Sequence, residues 1–241
     1  MSLYVYGIVP SPADVPELAG IHGEPVTVFA SNGHSALVSQ LVGPGEIGTP
    51  ENLMAHSSVL DRIAAKCPVL PMVFGTVVPD QEALVERVLA ARHNDHEAQF
   101  ARVGDAAQFT LHARFVRDQA LSELVEEDPE ISSLREVISG SSEDETRNER
   151  IRLGELVVRG LQRKSEEEAQ PIREALAPLA LEVVEREPGQ ADDVIELAAL
   201  VERGRQEAFE RAAEELARRS AGRMTLRLLG PQAPYDFMGG A

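Results

Sequence analysis

Between residues 49 and 89 the hydrophobic period changes twice, which confines the chain to folds in which helices and strands share a core. Thr49 is placed to cap a helix, and Pro50 sits at the first helical position, where a missing N–H costs nothing. Leu53, His56, Leu60, Ile63 and Ala64 then recur at helical spacing until Pro68 stops the pattern. Residues 69–74 form a short apolar run suited to a buried strand, and Phe74-Gly75-Thr76 turns the chain. Asp80 caps the next helix, whose stripe is Leu84, Val85, Val88 and Leu89. The pattern predicts an α+β protein.

The flanking sequence fills in two domains. Residues 3–9 are β-rich, and Ser11-Pro12 and Pro16 break the backbone after them. Residues 26–29 and 36–38 read as strands joined at Asn32-Gly33, a strong hairpin signal, and Gly43-Pro44-Gly45 ends that run. This N-terminal α+β domain is expected to cover 1–104, closing at Gly104. From 108 to 115, Phe109, Leu111, Ala113 and Phe115 alternate with Thr110, His112 and Arg114, which predicts a strand with one solvated face. Ser142 and Glu145 suggest a capping box ahead of a charged helix that runs to about 165 and resumes near 172. Ile131, Leu134, Val137 and Ile138 recur at helical spacing, so the acidic stretch before it is not read as disordered. Strands at 181–184 and 194–201 flank Pro188-Gly189; a helix follows with Phe209, Ala212, Ala213 and Leu216 inward, then a strand with Met224, Leu226 and Leu228. The order β, helices, β, β, helix, β predicts a C-terminal domain, 105–241, of modified ferredoxin-like (split βαβ) type with a helical insertion and a Pro-rich tail.

Charge excludes some functions. Asp and Glu outnumber Lys and Arg, 40 to 23, for a net charge of −17. A nucleic-acid binder needs a basic face to displace counterions, so no nucleic acid and no anionic membrane is expected as a partner. No apolar run reaches the roughly 18–20 residues that span a bilayer, and the start lacks a basic signal-peptide region, so the expected location is the cytoplasm. The single Cys67 sits in an apolar setting and reads as a reduced packing residue.

No pattern commits the chain to catalysis, a cofactor or a metal. Residues 43–48 match G-x-G-x-x-G, but Pro44 removes a backbone donor and Glu46 puts negative charge where a phosphate would sit. His93, Asp95, His96 and Glu97 could offer metal ligands, yet no distant histidine or cysteine stands at ligand spacing. They read as a solvated helix end. His56 lies on an apolar helix face, where a buried hydrogen-bonded imidazole and a catalytic base are both open readings; no nucleophile elbow accompanies it. Glu166, Glu167 and Glu168 lack the alternating oxygen ligands and central glycine of an EF-hand loop. In the tail, Pro231, Pro234, Tyr235 and Phe237 could fold back over their own sheet or present aromatics to a partner.

Taken in order, four patches resemble the gas vesicle protein L/F family (GvpF and GvpL). They are Tyr4-Val5-Tyr6-Gly7-Ile8-Val9; His56, Val59 and Leu60 with Val69-Leu70-Pro71 and Phe74-Gly75-Thr76; Gly230-Pro231 with Pro234-Tyr235-Asp236-Phe237; and, more loosely, residues 150–157. The resemblance implies an assembly protein or minor structural component of gas vesicles, the gas-filled protein shells that give cells buoyancy. It implies two α+β domains, the second a modified ferredoxin fold, and no enzymatic activity or cofactor. The implied partners are the small hydrophobic major shell protein, during nucleation or early shell growth, and other gas vesicle accessory proteins. The implied location is the cytoplasm and the vesicle, including the gas-facing side of the shell. Segments 71–76 and 235–238 are apolar and Pro-broken near sheet ends, so Pro71, Phe74, Gly75, Tyr235 and Phe237 are the expected partner-binding residues; an equally open reading is that these motifs hold the domains together. The alternative function is a ligand-binding or enzymatic ferredoxin-like α+β protein, since that fold hosts many activities. A general holdase is a third.

Overall fold

The computed structural model describes residues 1–41, 46–142 and 144–239. Gly43-Pro44-Gly45, the first half of the G-x-G-x-x-G match, lies outside the described residues. By internal contacts the chain forms two compact units. One contains Met1–Phe109, Leu200–Gly204 and the chain from Leu229 onward; the other contains Thr110–Ala199 and Arg205–Leu228.

The first unit is built around β1 (Leu3–Pro10), which is buried from Leu3 to Val9. It holds β2 (Thr27–Ser31), β3 (His34–Gln40), α1 (Pro50–Ala64), β4 (Leu70–Pro71) and β5 (Val77–Val78). It also holds α2 (Gln81–Ala83), which continues as a π-helical segment Leu84–Ala90, and α3 (His93–Val103). Strand order is β2-β3-β1-β4, and β5 also pairs with β1. Asn32 and Gly33 both adopt positive φ, 51° and 84°, so the β2–β3 hairpin closes with Ser31 opposite His34. The expected strand at 69–74 shrinks to Leu70–Pro71. Proline has no N–H to extend the ladder, and after Met72 bonds to the Tyr6 carbonyl the chain loops away.

Helix α1 is capped as expected, with Thr49 Oγ1 accepting the Asn52 N–H. Its buried face differs by one position. Leu53 is 48% exposed, whereas Asn52 is 4% exposed. The Asn52 amide accepts the His22 N–H and donates to the carbonyls of Glu46 and Ile47, so a polar residue takes the inward place because the loop backbone beside it needs partners.

In the second sheet, β7 (Glu182–Arg186), β8 (Asp193–Glu202), β6 (Ala106–Phe115) and β9 (Met224–Gln232) are antiparallel neighbours in that order. With α4 (Arg117–Glu127), α5 (Pro129–Ser139) and α6 (Arg147–Leu176) before β7, and α7 (Gln206–Arg219) between β8 and β9, this is the split βαβ order of a ferredoxin-like fold. Two local expectations change. α6 does not break: it runs through Pro171, because Ala169 and Ile172 are buried on either side and their packing outweighs the one lost backbone bond. Ser142 donates twice to Glu145, but this turn precedes the helix, which starts at Arg147.

The polar face of β6 is not open to solvent either. Gln108 and Thr110 are buried, and His112 and Arg114 share the Asp193 carboxylate at 3.0 and 2.8 Å. That carboxylate also accepts the Gln190 N–H. Burial pushes the Asp193 carboxyl up, but Arg114, the Gln190 N–H and His112 together hold it below the usual aspartate value.

Candidate functional site

Tyr4 and Tyr6, two residues apart on β1, point to the same side of the strand and pack edge to face with ring centroids 4.9 Å apart. His56 comes down on them from α1: its Nδ1 is 2.9 Å from the Tyr4 hydroxyl and its ring stacks on Tyr6. Phe74 meets His56 and Tyr4 edge-on. The next residue, Gly75, donates its N–H to the Tyr4 hydroxyl at 3.1 Å, from a backbone φ of +91° that favours glycine. The Tyr4 oxygen thus accepts from Gly75 and shares a hydrogen bond with His56 Nδ1. Nε2 is buried and has no hydrogen-bond partner among the described residues, although the Met72 backbone lies close enough to favour the proton.

Burial sets the electrostatics of this cluster. It lowers His56 to about 4, against a smaller opposing effect of the Met72 backbone, and raises Tyr4 to about 12. Tyr6, which donates to Ser39 Oγ and accepts the Ile21 N–H, is likewise raised by burial. Neither Tyr4 nor His56 changes charge near neutral pH, so the pair is not poised for acid–base work there. What it does is moor the 72–76 loop to β1 and α1. Cys67 is half-buried, and burial pushes its thiol up.

The tail folds onto the same unit. Gly230 approaches Phe109 so closely that a Cβ would lie 2.4 Å from its ring. Ala233 enters the core cluster of Tyr4, Tyr6, Leu60 and Ile63, and its N–H donates to Asp61 at 3.0 Å. The Asp236 N–H donates to Gln108 at 3.1 Å, and Phe237 is 1% exposed.

These placements sort the five expected partner-binding residues. Pro71 and Tyr235, far apart in sequence, line one cleft of about 260 Å³ with Met72, Val73, His96 and Met238. Tyr235 is 41% and Val73 74% exposed at its rim. Phe74 and Gly75 hold the cleft's loop from beneath, and Phe237 is a packing residue.

The reading of His93–Glu97 as a solvated helix end is corrected. His93 begins α3, His96 is buried, and both rings face His34 at the start of β3, 4.9 and 5.7 Å away between centroids. The sequence reading missed His34, which reaches α3 only because the Asn32-Gly33 turn carries it there.

Comparison with known proteins agrees with this architecture. The family described as "Gas vesicle synthesis protein GvpL/GvpF" matches residues 2–239, and the chain belongs to that family. A gas vesicle protein F from Streptomyces sp. (strain CB03234) is 30% identical over 99% of this chain and all of the relative, and one from Microcystis aeruginosa (strain PCC 7806) is 25% identical over 98% of each. The crystal structure of GvpF from Anabaena sp. PCC7120 superposes with a TM-score of 0.83 at 24% identity, covering 100% of this chain and 99% of that one. That of GvpF from Microcystis aeruginosa gives 0.79 at 24% identity over 99% of each.

Proposed function

We propose that this protein is a gas vesicle assembly factor or minor vesicle component, without catalytic activity, that engages the hydrophobic major shell protein early in shell growth. The observation that carries this reading is the cleft between Pro71 and Tyr235. It is mainly apolar, with Met72, Val73 and Met238 around it, and the loop beside it is moored by the Tyr4–His56–Gly75 contacts. A pre-formed apolar cleft on an acidic protein suits a partner whose own apolar surface would otherwise aggregate, while the −17 charge keeps the pair dispersed. Pro71 and Tyr235 are then contact residues, with Phe74, Gly75 and Phe237 supporting them. The protein works in the cytoplasm and at the vesicle, the gas-facing side of the shell included, with other accessory proteins as further partners.

Co-expression with the cognate major shell protein tests this. The shell protein should remain soluble and co-purify with the chain, and Val73→Asp with Tyr235→Asp should abolish retention while the circular dichroism spectrum is unchanged. Retention that survives the double substitution would move the contact elsewhere; no retention by the parent chain would remove the proposed partner.

A further inference from the structure

We propose that His34, His93 and Glu97 form a binding site for a first-row divalent cation, Zn2+ above all. Each of the three offers one ligand atom, and these atoms lie within 4.8 Å of one another. Their origin is that of a built site: His93 and Glu97 are four residues apart on one face of α3, and His34 comes from a distant strand. His34 is also pre-positioned. Its backbone is held in β3 opposite Pro10 and Ser31, its ring stacks on Phe100 at 5.4 Å, and the edge of buried His96 closes the other side. Ordering this ligand costs little on binding.

The donor set selects the ion. Two imidazoles with one carboxylate suit Zn2+ and its neighbours, whereas Ca2+ and Mg2+ want oxygen ligands throughout. Three protein ligands leave a fourth tetrahedral position for water or a partner's side chain. Without an ion the same groups satisfy one another: His34 Nε2 lies 2.9 Å from Glu97 and His34 Nδ1 lies 3.2 Å from His93 Nδ1. One imidazole gives a metal only one nitrogen, so binding exchanges one of these contacts for coordination. The adjustment falls on exposed Glu97 and half-buried His93.

The test is a Zn2+ titration of the full metal-free chain by calorimetry, paired with Co2+ as a spectroscopic probe. One Zn2+ should bind per chain, and Co2+ should give the intense visible absorption of a tetrahedral site. Glu97→Gln and His93→Ala, both on the solvent side, should each weaken binding by at least roughly tenfold. Asp95→Asn, an exposed neighbour outside the site, should leave it unchanged. The proposal falls if the chain takes up no Zn2+ at micromolar concentrations. It also falls if uptake is indifferent to Glu97→Gln and His93→Ala, or if Asp95→Asn weakens it as much.

Discussion

In the first unit three imidazoles, His34, His56 and His96, are each no more than 3% exposed, whereas the second unit keeps most of its ionic groups at the surface. There Lys164 spans Glu123 and Glu127 at 3.0 and 2.8 Å, Arg173 spans Glu166 and Glu185 at 2.8 and 2.7 Å, and Arg223 pairs with Glu168. Asp193 is the buried carboxylate of that unit among the described residues. The difference is one of specification. A buried imidazole has few acceptable partners and fixes the loop that supplies them, while a surface ion pair can be rearranged at small cost. The first unit is therefore the more exactingly built and the more easily broken.

The largest effect should come from Phe237→Ala. Emptying this fully buried position should cost about 3–5 kcal/mol, read from the midpoint of urea unfolding by circular dichroism; a loss below about 1 kcal/mol would mean that the tail is not part of the first unit's packing.

Acid comes next. His56 and His96 both fall from 6.5 to about 4 on folding, so protonation favours the unfolded chain. Their contribution is complete above about pH 6.5 and is lost as the pH drops toward 4, on the order of 3 kcal/mol for each. His56→Gln should roughly halve the acid-induced loss between those limits; an unchanged slope would place the sensitivity elsewhere. Asp193 contrasts with them, since its folded value lies below 3.8. Its contribution is complete above that value and is lost only as the pH falls through the folded one, so Asp193→Asn should cost about 2 kcal/mol at pH 7 and should flatten only the most acidic limb. The smallest effect belongs to Lys164→Met, at most about 1 kcal/mol and erased by high salt. A larger loss would end the contrast between the units.

Much of the fold was legible because it rests on local period and punctuation. The Asn32-Gly33 turn, the Thr49 and Asp80 caps and the alternation in β9 stand where the sequence puts them. What escaped depends on partners remote in sequence. Asn52 displaces Leu53 from the inner face because the distant His22 N–H needs its amide oxygen, and α6 survives Pro171 because burial continues on both sides. Gln108 is drawn inside by Asp236. The cleft shows the same limit. Pro71 and Tyr235 each stand out as apolar, Pro-broken sequence, but only the return of the tail makes them neighbours. His34 carries no local signal at all, which is why the cluster on α3 looked incomplete.

That returning tail also imposes an order on biosynthesis. Ala233 sits among Tyr4, Tyr6 and Ile63, residues that leave the ribosome seconds earlier at ordinary translation rates of roughly 5–20 residues per second. Until the tail emerges, the strand and helix it packs on wait with an unfinished interior, and the cleft wall formed by Tyr235 and Met238 does not yet exist. Any occupant of that cleft must therefore meet a chain already made as far as Met238, and a message cut short before Ala233 would yield a product unable to close its first unit.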